Sequence, residues 1–143
     1  MSKFSRDKGK RGERKVIDWM QPIVNATLLQ LHKKPILLQR DTRQWDAGGS
    51  DICGLDFLSI EVKNVEIQSK NDISKWWQQT LSQTKSGQTP ILFYMKSRND
   101  IRVRLMGAVG DSEAFIECQV DISLEDFEKW LVVKIEHNAE KLR

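Results

Sequence analysis

The 143-residue chain has few of the residues and segments that define several protein classes. Its two cysteines (Cys53, Cys118) and two histidines (His32, His137) are too few for a disulfide framework or a zinc site. No apolar run approaches the roughly 20 residues that a membrane helix needs, and the charged N-terminus lacks the apolar stretch of a secretory signal. These absences predict a cytoplasmic protein without membrane contact and with reduced thiols. The length predicts one domain over residues 1–143.

Charge is distributed unevenly along the chain. Residues 1–110 carry 19 Lys and Arg against 11 Asp and Glu, whereas residues 111–143 carry 4 against 9. A polyanion should therefore contact the first part of the chain. Residues 1–12 are predicted to form a basic, flexible arm, which is either a phosphate contact or a frayed, solvated end. The candidate DNA-binding residues are Lys10, Arg11, Arg14, Lys15, Arg40 and Arg43.

Hydrophobic periodicity and turn residues predict an α/β fold with a central mixed β-sheet flanked by helices. A first helix should run from about Gly12, and Pro22 should kink it or start a second segment. Asn71 and Asp72 offer a cap for a second helix, which Gly87 should end. The predicted strands are 36–40, 50–53, 57–63, 90–95, 101–105 and 115–120, and the predicted second and third helices are 73–86 and 124–135.

The segment from Asp51 to Lys63 carries the most specific pattern. Side chains alternate along a strand, so Glu61 and Lys63 should share one face and Val62 should point into the core. A hairpin centred near Asp56 would place Asp51 opposite Glu61, with Cβ atoms about 4.5–5.5 Å apart. Two carboxylates this close need a shared proton or a cation. A hard divalent ion fits oxygen ligands, and Lys63 would hold or help deprotonate a water molecule.

Two helices carry further candidates. Glu13 aligns with Ile17 and Met20 on the first helix and would face the acidic pair, unless it is an ordinary surface glutamate. Of the adjacent Trp76 and Trp77 on the second helix, at least one should lie in the core, and the other is a candidate partner contact.

The order of these motifs resembles the PD-(D/E)xK nuclease superfamily, whose core is restriction-endonuclease-like. The resemblance rests on the helix with Glu13, on Gly49-Ser50-Asp51, and on the strand Glu61-Val62-Lys63 followed by a helix. The basic segment 10–14 and the strand 60–64 are similar to those of archaeal-type Holliday junction resolvases and their phage-encoded relatives. Ser50 departs from the pattern, because many members have proline there.

This resemblance implies a DNA endonuclease of recombination or repair in a bacterial, archaeal or phage-infected cell. Asp51, Glu61 and the Val62 carbonyl would bind Mg²⁺ or Mn²⁺. Glu13 would complete the metal shell or bind a second ion through water, and Lys63 would position the attacking water. Paired cuts in a four-way junction would leave 5′-phosphates and imply a symmetric homodimer.

Three alternatives to junction resolution remain open: a flap, mismatch or site-specific nuclease of the same fold, a non-catalytic DNA-binding or assembly protein, and an acidic pair that is only surface charge. Gln79 and Gln83 are similar to a glutamine-bearing helix of some relatives. Because the tyrosine of that helix is missing, no catalytic role is assigned to them.

Overall fold

The computed structural model describes residues 3–41, 50–66, 69–97 and 100–142 and confirms the α/β class. A four-stranded mixed sheet is flanked by three α-helices. In chain order the elements are α1 (Lys3–Gln30), β1 (Gln39–Arg40), β2 (Ile52–Cys53), β3 (Leu58–Glu66), α2 (Lys70–Gln83), β4 (Thr89–Ser97), β5 (Asp100–Gly110), β6 (Phe115–Ser123), α3 (Leu124–His137) and a short 3₁₀ helix (Ala139–Lys141).

The sheet has the strand order β3-β4-β5-β6. β3 and β4 run parallel because α2 forms the crossover between them, whereas β4, β5 and β6 are joined as antiparallel neighbours. β6 forms one edge of the sheet, and β3 forms the other. β1 and β2 form a separate antiparallel pair.

The two faces of the sheet pack against different helices. Ile60 and Phe93 belong to the main core, together with α1 and α3, which contributes Phe127. On the opposite face, Tyr94 packs against Trp77 of α2. Trp77 is 3% exposed and Trp76 is half-buried, so the prediction of a core tryptophan is confirmed.

Helix α1 differs from the prediction in two ways. It begins at Lys3 rather than near Gly12, so the described part of the basic N-terminal segment is helical. Pro22 lies inside the same continuous helix instead of starting a second segment. Both Pro22 and Asp18 are exposed, so water can hydrate the Asp18 carbonyl that lacks an N–H partner at position 22.

The predicted hairpin between 50–53 and 57–63 is wrong in its strand pairing. β2 forms its ladder with β1, with Arg40 opposite Ile52, rather than with β3. The predicted strand 36–40 is correspondingly reduced to Gln39–Arg40. Strand alternation does not specify the partner strand, which here is set by packing between distant segments.

Helix ends follow local hydrogen bonding. α2 starts one turn earlier than predicted because Ser69 caps it, and the Ser69 backbone N–H donates to Asp72 Oδ2 at 3.1 Å. It also ends at Gln83, before Gly87. The sequence Ser123-Leu124-Glu125-Asp126 resembles a capping box, and the structure confirms this cap of α3: Ser123 Oγ accepts from the Asp126 backbone N–H. In the described part of the chain, no helix has both the length and the apolarity to span a bilayer.

Gly12 marks the closest approach of α1 to the sheet and gives a stability test. A Cβ at Gly12 would lie 2.5 Å from the Asn64 Cβ, whereas a Cβ at Gly9 would meet no described atom within 4 Å. We expect Gly12→Ala to destabilise the protein by about 1–3 kcal/mol through overpacking. Gly9→Ala should instead stabilise it by up to about 1 kcal/mol, because alanine favours helix. Urea unfolding of both variants measures the difference, and equal stabilities would contradict the close approach.

Candidate functional site

Asp51 is held along the free edge of β3 by backbone hydrogen bonds. Its N–H donates to the Ile60 carbonyl at 2.6 Å, and its Oδ2 accepts from the Val62 N–H at 2.8 Å. Ser50 supports this arrangement, since its Oγ accepts from the Ile60 N–H at 2.8 Å. Asp51 therefore comes beside Glu61 as predicted, although the regular hairpin is absent among the described strands. The sequence marks Ser50 only as a departure from proline and gives no signal of this supporting role.

On its face of the sheet, Glu61 contacts a cation, Lys63, and a side-chain amide, Gln79. Lys63 Nζ lies 3.3 Å from Glu61 Oε1, which confirms that the two side chains share a face. Gln79 Nε2 of α2 donates to the same oxygen at 3.2 Å. The sequence assigns no role to Gln79. The glutamine-bearing helix was a signal, but nothing in the sequence indicated which glutamine would reach Glu61.

Glu13 is buried and paired with a cation. Its Oε2 accepts from Arg40 Nε at 2.6 Å, and it is 7% exposed. The Glu13 carboxylate also lies close enough to Asp51 and Glu61 to raise the pKa of each. Glu13 is thus part of the acidic group rather than a surface glutamate. Arg40, proposed as a phosphate contact, has its Nε engaged by Glu13.

Burial dominates the electrostatics of the acidic pair. Asp51 is 6% and Glu61 4% exposed. Burial, reinforced by the Glu61 charge, raises the pKa of Asp51 to about 8, although the Val62 hydrogen bond opposes the shift. Burial likewise raises the pKa of Glu61, against the lowering effect of Lys63. The site therefore favours either a bound proton or a bound cation over two free carboxylates.

The acidic pair is chemically suited to a hard metal ion. Carboxylate oxygens are preferred ligands of Mg²⁺ and Mn²⁺, and a cation between Asp51 and Glu61 would relieve both their burial and their repulsion. Among the described residues, no three His, Cys, Asp or Glu side chains are grouped so that they could hold a metal ion. The metal-binding roles of Asp51, Glu61, Glu13 and the Val62 carbonyl remain predictions.

The predicted DNA-binding residues of α1 are exposed and share one side of the helix, because residues three and four apart are neighbours. These residues are Lys10, Arg11, Arg14 and Lys15. Glu13, between them in sequence, points the other way and is buried. Arg43 and Gly49 lie outside the described residues.

Comparison of the chain with protein-family models, with curated proteins and with solved structures finds no significant match. The functional interpretation therefore depends on the geometry of the site and on the motifs that its residues form.

The raised pKa of Asp51 predicts an unusual dependence of stability on pH in EDTA. The folded protein binds the Asp51 proton more tightly than the unfolded chain does. The stabilisation that this proton gives to the folded protein is therefore complete below a pH of about 4. It is lost as the pH rises toward about 8. Asp51→Asn removes this titration and should melt a few degrees above the wild type at pH 8, since about 1 kcal/mol corresponds to roughly 2–4 °C.

Thermal melts of both proteins between pH 5 and 8 test this expectation, and Asp18→Asn, at an exposed aspartate of α1, is the control. Equal slopes of melting temperature against pH for the wild type and Asp51→Asn would contradict it.

Proposed function

We propose that the protein is a metal-dependent, structure-selective DNA endonuclease that resolves four-way junctions by paired phosphodiester hydrolysis. The observation that carries this proposal is the buried Asp51–Glu61 pair with Lys63 in contact. The choice of a branched substrate rests on the motif resemblance and on the basic face of α1.

Each residue of the site would have its own role in the hydrolysis. Asp51 and Glu61, with the Val62 carbonyl, would hold Mg²⁺ or Mn²⁺, and Glu13 would add negative charge to the same group. When bound, the metal supplies polarisation of the phosphoryl oxygen and stabilisation of the leaving oxygen. Lys63 would hold the attacking water beside Glu61 and balance the charge that develops on the phosphate. Hydrolysis at the 3′-oxygen leaves a 5′-phosphate.

Charge and symmetry support the rest of the proposal. The exposed cations of α1 lie beside the buried Glu13, so they would guide a phosphate backbone toward the acidic pair. The acidic segment 111–143 would face away from DNA. Two symmetric cuts require two sites related by a two-fold axis, hence a homodimer. Of the two tryptophans, Trp77 is buried within the chain, so half-buried Trp76 is the candidate contact.

Cleavage of labelled four-way junction, flap, mismatched and plain duplex DNA tests the proposal. We expect Mg²⁺-dependent paired nicks in the junction, no cutting in EDTA, and little cutting of the duplex. Glu61→Gln should lower the rate by at least about 100-fold, since loss of a charge-stabilising group typically costs 10²–10³. Glu117→Gln, at an exposed glutamate of β6, is the matched control.

The outcomes separate the alternatives. Preferred cutting of a flap, a mismatch or one duplex sequence would keep the chemistry and replace the substrate. DNA binding without any cleavage would favour the non-catalytic protein. Unchanged cleavage by Glu61→Gln would contradict the proposed site.

Gln79 is proposed as a positioning residue for Glu61 because its amide donates to Glu61 Oε1. Gln79→Ala should lower kcat by about 10–100-fold, the usual effect of removing a residue that orients a ligand, with little change in KM. Gln78→Ala, at the exposed neighbouring position of α2, is the control. Single-turnover kinetics on the preferred substrate measure both. A change in KM alone would show that Gln79 contacts DNA instead.

A further inference from the structure

A cavity of about 150 Å³ lies where α1 crosses the sheet, one residue from the acidic pair. Its apolar walls come from Val62, Phe93, Met95 and Ile101, and Lys15 and Asn64 contribute its polar groups. Val62 follows Glu61 on β3, and strand alternation turns its side chain to the opposite face of the sheet. The cavity is therefore adjacent to the candidate site but separate from the face that carries Glu61 and Lys63.

The shape of the cavity is maintained by close packing of α1 on β3. Gly12 contacts Asn64 so closely that a Cβ would lie 2.5 Å from the Asn64 Cβ. The Asn64 amide also donates to the Lys8 carbonyl at 2.9 Å. These contacts fix one side of the cavity, while half-buried Val62, Met95 and Ile101 leave apolar surface facing into it.

The size of the cavity and the chemistry of its lining residues together indicate which ligand it can bind. An apolar cavity of about 150 Å³ accommodates a benzene-sized ring, which matches a single six-membered base better than a fused purine. Lys15 gives the cavity a cation, and the neighbouring exposed Arg11 and Arg14 extend the positive charge along α1. A flat, weakly polar ring joined to a phosphate satisfies both features.

We propose that this cavity receives a pyrimidine base turned out of the DNA strand that is cut, with Lys15 contacting the phosphate of the same nucleotide. This inference rests on the proposed function and adds a substrate contact to it. Turning out a base costs least where pairing is already disrupted. The cavity would therefore favour DNA whose pairing is disrupted, as at a branch point that has opened, over intact duplex.

Thymidine 5′-monophosphate tests the cavity without any cleavage. Methyl NMR of the wild type should show shifts at Val62 and Met95, with a dissociation constant on the order of 1 mM. Inorganic phosphate alone should leave these methyl groups unchanged. Ile101→Phe fills the cavity and should weaken binding at least tenfold, whereas Ile116→Phe, on the exposed part of β6, should not. Lys15→Gln should weaken binding of the monophosphate but not of thymidine.

Three results would overturn the inference: no binding of the nucleotide by the wild type, equal shifts with phosphate alone, or unchanged nucleotide affinity in Ile101→Phe. Ile101 packs against the core, so its variant is first checked by a thermal melt. If that variant does not fold, the Lys15→Gln comparison decides. Cleavage assays on the same samples separate the two proposals. A wild type that cuts DNA without binding the nucleotide overturns only the cavity, and one that binds the nucleotide without cutting overturns only the nuclease.

Discussion

Asp51 and Glu61 lie side by side almost out of contact with water, and the structure around them compensates for two charges that repel each other. Compensation is possible because β3 ends the sheet. β4 occupies one edge of β3, so the other edge is available to hydrogen-bond with Asp51 through Ile60 and Val62. An interior strand would have both edges occupied by neighbouring strands, and the Asp51 carboxylate would have no backbone N–H to accept from.

Helix α1 connects this buried charge to the protein surface. Gly12 lets the helix approach Asn64 closely, and the next residue, Glu13, is turned into the acidic group and paired with Arg40. On the outer side, Lys10, Arg11, Arg14 and Lys15 are exposed. One helix thus contributes negative charge inside and positive charge outside. A change in its approach to the sheet would alter the acidic site, the cavity and the basic face together.

Local physics made part of this arrangement predictable. Strand alternation fixes the shared face of Glu61 and Lys63, and an N-cap requires only neighbouring residues, as at Ser123 and Asp126. The ladder between β1 and β2, the Glu13–Arg40 ion pair and the Gln79–Glu61 hydrogen bond join positions 12 to 27 residues apart. Such contacts depend on how whole elements pack, and the residue pattern of each segment is compatible with several partners.

Burying two neighbouring carboxylates costs free energy, and this favours a binding role for the acidic pair over a structural one. Asparagine at position 51 could still accept the Val62 hydrogen bond without carrying a charge, and glutamine at position 61 could still accept from Gln79. Buried charges are generally replaced by neutral or apolar groups of similar shape without loss of stability. Two buried carboxylates therefore stabilise the fold little more than the corresponding amides would. In the proposed function they would add affinity for a cation, and Lys63 and the basic face of α1 would place that cation where a phosphate can approach it.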